Sequence, residues 1–230
     1  MGGMEKKRIV VLTGAGVSAE SGISTFRDSD GLWEHYRVED VATHEAYERD
    51  PALVLDFYNQ RRRQLAEVQP NEAHRQLARL EERYSVEVIT QTIDNLHERA
   101  GSSRVLHLHG ELTKGRSDAR PELTVDIGYS DIRLGDLAPD GTQLRPHIVW
   151  FGEAVPNIEP AAELCSEAEI FIVVGTSMAV YPAAGLIHYV PREAECYVVD
   201  PKEVPVSRRV NFIREVATRG VTQLVNQLMQ

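Results

Sequence analysis

Short apolar runs alternate with helical patterns along most of the chain. Arg8–Thr13 (RIVVLT) is almost continuously apolar and runs into Gly-Ala-Gly, the pattern of a strand buried on both faces that feeds a tight turn. Val86–Thr90, Arg104–His107, Ile170–Val174 and Cys196–Asp200 read the same way, and Ile148–Phe151 is a candidate for another such strand. Between them, Pro51–Glu67 and Asn71–Arg83 carry apolar residues at helical spacing. Pro51 suits a first helical turn, and Asp50 before it suits a cap. Strands alternating with helices predict an α/β fold: a Rossmann-like, doubly wound parallel sheet. Two stretches break the alternation. Residues 34–83 are mostly helical, and 113–144 are polar with several Gly and Pro. Both are predicted to be insertions that form a smaller lobe over a large lobe made of 8–33, 84–112 and 145–230, within one catalytic domain spanning 1–230. No internal repeat interrupts this pattern.

Composition narrows the picture only slightly. The 230 residues are 42% hydrophobic and 26% charged, enough for one sizeable core. The formal net charge of -10 argues against nucleic-acid or anionic-membrane partners, though not against a lysine-rich peptide. Cys165 and Cys196 lie in apolar stretches and read as reduced core residues. No apolar run has the length of a membrane span, and Ile9–Leu12 is too short for a signal peptide, so a cytoplasmic enzyme is expected.

Candidate chemistry begins at Gly14-Ala15-Gly16-Val17-Ser18-Ala19, which matches the dinucleotide pattern G-x-G-x-x-G/A. Gly14 would allow the tight turn, Gly16 a close approach to pyrophosphate, and Ala19 close packing of helix on strand. Such a turn can also be purely structural. Its continuation, Glu20-Ser21-Gly22-Ile23-Ser24-Thr25-Phe26-Arg27, stays small and polar where a dehydrogenase helix would turn amphipathic. Here the chain resembles the sirtuin family, whose opening signature GAG-x-S-x-x-SGI-x-x-FR is matched at every fixed position, followed by Gly31-Leu32-Trp33. The resemblance implies NAD⁺ as the cofactor. It implies contacts from Gly14, Ala15, Gly16, Ser18, Ala19, Glu20, Thr25 and Trp33, with Phe26 and Arg27 in a loop covering the ribose and phosphates.

The remaining family motifs follow in order. Thr90-Gln91-Thr92-Ile93-Asp94-Asn95-Leu96-His97 resembles TQN-[IV]-D-x-L-H, placing Gln91 and Thr92 at the ribose, Ile93 against the cofactor and Asp94 at the nicotinamide carboxamide. Thr92 departs from the family's Asn, and a hydroxyl cannot replace two amide donors. His107-Leu108-His109-Gly110 resembles the family's HG segment, which implies that His109 is the catalytic base, a role suited to an imidazole. His97 and His107 are the competing histidines. Residues two apart on a strand face opposite sides, so only one of His107 and His109 should face the cleft. Gly175-Thr176-Ser177, Asp200 and Ala217 fall where the family binds the adenosine half. Arg145-Pro146-His147-Ile148-Val149-Trp150-Phe151-Gly152-Glu153 resembles RP-x-[IV]-V-x-FGE. It implies a substrate tunnel lined by Val149 and Phe151, with Gly152 and Glu153 pairing with the peptide backbone opposite Met178 and Val180.

The implied reaction transfers the acyl group of an acyl-lysine protein or peptide to the ADP-ribose part of NAD⁺ and, with one water consumed, releases nicotinamide, lysine and O-acyl-ADP-ribose. Tyr58 and Arg61 are three apart on one helix, where a phenol and a guanidinium can hold a carboxylate. With the small Ala42, this Y-x-x-R resembles the sirtuin subclass that removes succinyl, malonyl and glutaryl groups. The bland reading of Arg61-Arg62-Arg63 is a solvated basic face. Most sirtuins carry four zinc cysteines, but Thr113–Leu144 has neither Cys nor His, so no metal is expected and the lobe should be held by packing and turns. Three rivals remain open: an NAD(P) dehydrogenase, a weakly catalytic NAD⁺ sensor, and an ADP-ribosyltransferase.

Overall fold

The computed structural model describes residues 5–24 and 32–230. Strand β1 (Arg8–Thr13) leads into the single turn α1 (Gly16–Ala19). A hairpin of β2 (Leu32–Trp33) and β3 (Tyr36–Arg37) follows, then helices α2 (Val38–Val41), α3 (His44–Arg49), α4 (Pro51–Glu67) and α5 (Glu72–Arg79). Next come β4 (Ser85–Thr90), α6 (Leu96–Arg99), β5 (Val105–His107), β6 (Gly110–Ser117), β7 (Thr124–Asp126) and β8 (Leu144–Ile148). The chain closes with α7 (Ile158–Ser166), β9 (Ile170–Val174), β10 (Glu195–Val199), β11 (Asn211–Ile213) and α8 (Ala217–Leu228).

The predicted parallel runs form one six-stranded sheet in the order β11-β10-β9-β1-β4-β5. They are apolar throughout because both faces are covered. Val10, Leu12, Phe171, Val173 and Val198 pack toward α7 and the 3₁₀ segment Ala183–Tyr189. Ile9, Val11, Val88, Ile172 and Val199 pack toward α5 and α8. The order reverses direction at β1: the chain grows outward through β4 and β5 on one side and through β9, β10 and β11 on the other. The crevice between the carboxyl ends of β1 and β9 is therefore the topological switch point, where doubly wound sheets bind their ligands.

Local signals set α4 as expected. Pro51 stands in its first turn, and the Asp50 carboxylate accepts from the Leu53 N–H at 3.1 Å. The α5 helix is shorter than the Asn71–Arg83 pattern. Asn71 caps it, and a 3₁₀ turn takes over at Leu80–Glu82.

Ile148–Phe151 does not join the parallel sheet. The strand there is β8, antiparallel to β6 in a separate three-stranded sheet β7-β6-β8, and Phe151 forms an isolated bridge to Thr43. An apolar run of four residues carries no information about its partner, and Arg145-Pro146 pairs with Gly115-Arg116 instead.

The small lobe is held by more than packing and turns, which corrects the sequence reading. Arg145 is 1% exposed. Its guanidinium bonds both oxygens of Glu153 at 2.9 and 3.0 Å and Asp118 at 3.0 Å, and stacks 3.6 Å over Trp150. Arg116 reaches Glu153 from β6, and His44 reaches Asp118 from α3. The network thus ties the antiparallel sheet to the helical insertion. Four further carboxylates of 113–144 have their own partners: Glu122 has Arg120, Asp131 has Arg63, Asp136 has the Arg133 N–H, and Asp140 has Ser117 and Thr142.

Candidate active site

Three glycines close the switch point backbone to backbone. The Gly14 N–H donates to Val174 O at 2.9 Å and the Gly16 N–H to Gly175 O at 2.8 Å. A Cβ on Gly14 would lie 2.6 Å from Gly175 O, and one on Gly16 2.6 Å from Gly175 Cα. Gly175 itself has φ +64°, and a Cβ there would meet Val17 N at 2.5 Å. The fold itself therefore demands Gly16, through its close approach to Gly175. The role given to Ala19 changes. Ala19 is exposed, and the buried Val17 packs α1 onto the sheet, because α1 lasts only one turn. Glu20 is exposed too, and its carboxylate accepts from Thr218 N and Thr218 Oγ1 at the start of α8, beside the buried Ala217. Thr25, Phe26 and Arg27 lie outside the described residues.

Behind the glycine turn, a hydrogen-bond chain reaches Asp94. The Asn71 N–H donates to His74 Nδ1 at 3.1 Å, which leaves the His74 proton on Nε2. That proton points to Ser18 Oγ at 3.3 Å, and the hydroxyl donates to Asp94 Oδ2 at 2.7 Å. Burial raises the Asp94 pKa, while the Leu96 N–H and Ser18 hydroxyl pull it down. Burial lowers His74 to about 4, so it stays neutral. Ala15 caps α1, and Ile93 packs on the helical insertion, its carbonyl accepting from Leu112 N.

Gln91 and Thr176 meet across the crevice, amide to hydroxyl, at 3.2 Å. Thr176 also accepts from the Met178 N–H, fixing a backbone turn at φ +56°. Ser177 is exposed at its tip. Asp200 stands at the end of β10 with its carboxyl raised by burial, although it accepts from Lys202 N. Thr92 turns inward. Its hydroxyl lies 2.8 Å from Thr90 Oγ1, which bonds Thr13 Oγ1 at the same distance.

His109 is the half-buried histidine of the HG segment. Its Nδ1 lies 3.2 Å from the Gln91 carbonyl, which can only accept. The proton must then sit on Nδ1, leaving the Nε2 lone pair to act as a base. His107 is 8% exposed and faces away, toward α6. Its Nε2 is 2.5 Å from Glu98, its Nδ1 is 3.4 Å from Thr92 O, and Asn157 bonds its carbonyl. The contact with Glu98 was not legible from the motif. It places a raised-pKa imidazole, held up against burial by Glu98 and Glu111, behind the Gln91–Asp94 loop. Glu98, His107 and Glu111 put three ligand-type atoms within 4.8 Å, but Lys114 pairs with Glu111 at 2.9 Å and the His107–Glu98 bond fills the remaining gap. His97 is fully buried against Thr13 Oγ1.

Burial lowers the His109 pKa from its ordinary value, with Gln91 O partly opposing. The base form is thus present above a folded value that lies under about 6.5, and it is lost as pH falls through that value. The acidic limb of kcat/KM is expected to have its midpoint below about pH 6.5. A rate profile from pH 5 to 9 checks this, and a midpoint at or above that value would remove His109 as the group responsible.

The substrate side is built by β8 and the loop after it. Val149 is half-buried, with its N–H on His109 O, and Phe151 is 47% exposed with its N–H on Ala42 O. Ala42 therefore joins the insertion to the groove through its backbone, its small side chain buried. Gly152 is exposed. The Glu153 side chain is committed to Arg145 and its N–H to Trp150 O, so an added strand would bond there through carbonyls. Met178 and the half-buried Val180 stand on the β9 side.

The three arginines of α4 go three ways, so the run is no solvated face. Arg63 pairs with Asp131 at the surface. Arg62 is fully buried, bonding Leu112 O at 2.7 Å and Asn59 at 2.8 Å. Arg61 lies under the hairpin, its NH1 3.7 Å from Glu34 and its guanidinium 5.1 Å from the Phe57 ring centroid. Tyr58 is fully buried. Its hydroxyl accepts from Trp150 Nε1 at 3.0 Å, leaving its own hydrogen to donate. Trp33 packs edge-on against Phe57 and Tyr58, so the structure sets it at α4.

A glycine-closed crevice at a doubly wound switch point, with a neutral histidine base beside it and a groove edge across from it, defines a nucleotide-dependent enzyme acting on an extended substrate. The chain belongs to the Sir2 family, whose model matches residues 14–182. It is 57% identical over 230 residues to a Bacteroides thetaiotaomicron protein named NAD-dependent protein deacylase, covering 97% of this chain and 98% of that one. A Helicobacter pylori protein of the same name is 52% identical, with 97% and 98% covered. Among solved structures, a Sir2 homologue bound to NAD superposes with a TM-score of 0.86 at 39% identity over 98% of this chain and 90% of that one. A Sir2 complex with a p53 peptide and NAD⁺ gives 0.80 at 30% identity, covering 98% and 95%. The cofactor of this family is NAD⁺, and the crevice fits it: Gln91, Thr176 and Asp200 offer polar groups just beyond the carboxyl ends of β4, β9 and β10, as a dinucleotide requires.

Proposed function

We propose that this enzyme removes acidic acyl groups, succinyl and malonyl above all, from protein lysines in an NAD⁺-dependent reaction. The coarser reading, an NAD⁺-dependent protein deacylase, is supported by the family and by the names of relatives that match nearly the whole chain. NAD⁺, when bound, supplies a nicotinamide–ribose bond whose cleavage lets the sugar accept the acyl group. The chain's own groups do the rest. His109 Nε2 takes a proton, with Nδ1 held on Gln91 O so that the lone pair cannot swap sides. Asp94 offers an oriented carboxyl, and the edges at Gly152 and Met178 lay out the peptide.

The acidic preference rests on one observation. A guanidinium 12% exposed and a buried phenol with a free hydrogen sit three residues apart on α4, and the arginine's one ion pair among the described residues is the 3.7 Å contact to Glu34. A carboxylate on the acyl chain would complete it with charge-assisted bonds. Arg61→Met is expected to cut kcat/KM for a succinyl-lysine peptide by roughly 10²-fold, the loss of a charge-assisted contact of about 2–3 kcal/mol, while acetyl-lysine changes less. Mass-spectrometric rates on matched peptides decide it, and an equal loss on both would remove the selector role. The inward hydroxyl of Thr92 supports a slower enzyme as the second reading, since it offers the cleft no amide donors. Two unpaired, buried thiols suit a reducing compartment, and we place the protein in the cytoplasm.

A further inference from the structure

The β2–β3 hairpin is clamped on the helix that carries the acyl selector. Trp33 stacks edge-on against Phe57 at 5.1 Å and Tyr58 at 6.0 Å, and Tyr36 against Phe57 at 5.5 Å. Its turn is made by Glu34 and His35, both at positive φ (47° and 71°), which non-glycine residues adopt only where the surroundings hold them. That turn brings the Glu34 carboxylate to 3.7 Å from Arg61, with side chains 22% and 12% exposed. Among the described residues, Arg61 Nε and NH1 are buried and make no hydrogen bond. An ion pair at that distance, without a direct hydrogen bond, neutralises the guanidinium while leaving its donors unspent.

A guanidinium this deep would be costly with no counter-charge whenever the bound acyl group is neutral. Glu34 supplies the counter-charge from the protein itself. An acidic acyl group must compete with it, whereas an acetyl group finds Arg61 already balanced. We propose that Glu34 is a specificity-determining residue: a built-in carboxylate that stands in for the acyl carboxylate at Arg61, widening the acyl range toward neutral groups and holding down affinity for acidic ones. This rests on the Tyr58/Arg61 reading above.

Glu34→Gln keeps the shape and removes the charge, and Glu34→Asn removes the charge with a shorter residue that tolerates positive φ. Steady-state kinetics on matched succinyl- and acetyl-lysine peptides, with full-length protein and saturating NAD⁺, are the test. Both variants are expected to raise the succinyl-to-acetyl ratio of kcat/KM about fivefold, the size of one partly buried ion-pair competition, through the succinyl KM rather than kcat. If the ratio stays level or falls in both variants while Arg61→Met still abolishes the succinyl preference, Glu34 does not compete and the inference fails with the selector intact. If Arg61→Met leaves succinyl turnover unchanged, the selector itself is absent and the inference falls with it.

Discussion

His109→Ala is expected to lower deacylation by about 10²–10⁴-fold while NAD⁺ still binds, since general-base assistance has that worth. The argument rests on proton placement. Gln91 O accepts from Nδ1, so the neutral ring presents Nε2 unprotonated, and burial keeps the ring neutral at working pH. His107 cannot substitute. It faces Glu98 on the other side of the backbone, 2.5 Å away, with its pKa raised. His109→Asn makes the sharper control, because an amide can keep the bond to Gln91 O without offering a base. Calorimetric binding of NAD⁺ beside peptide turnover separates the two roles. Turnover within tenfold of the parent in both variants would move the base elsewhere.

Arg145→Met is expected to destabilise the protein by about 3–5 kcal/mol, because it strands carboxylates in a buried network. For a chain of this size that is a fall in Tm of roughly 6–20 °C. Burial by itself would raise the Glu153 pKa, but bonds from Arg145 and the Trp150 N–H outweigh it, so the carboxyl titrates below its usual range. Asp118 behaves the same way through His44 and Arg145. Both contributions are present above the unfolded carboxyl pKa and disappear as pH falls through the folded values. The network does here what a thiolate-bound metal would do elsewhere, tying the antiparallel sheet to the insertion. A chelator should therefore leave the parent Tm unchanged. Differential scanning calorimetry with and without chelator checks both points, and a Tm loss under 2 °C for the variant would show that packing alone holds the lobe.

Sirtuin membership was legible from five ordered motifs, and the central sheet from apolar runs without alternation, the mark of strands covered on both faces. The α4 helix was legible down to its cap because Asp50, Pro51 and the apolar spacing all act within a few residues. The absence of a cysteine or histidine ligand in 113–144 is likewise a fact of the sequence.

What pairs with what across long separations was not legible. The Arg61-Arg62-Arg63 run looks uniform, yet its three fates depend on Glu34, Leu112 and Asp131, which arrive from three different elements. Ile148–Phe151 resembled a core strand because a short apolar run says nothing of its partner, and β6 claimed its start. Gly16 was legible as a position of close backbone approach, but that Gly175, from the far side of the chain, packs against it was not. Spacing and local chemistry determined the strands, the helix ends and the choice of residue types at the crevice, because those depend on neighbours within a turn or a strand. The tertiary structure decided which nitrogen of His109 is free, which arginine is paired and what holds the small lobe, because each depends on a single contact between segments distant in sequence.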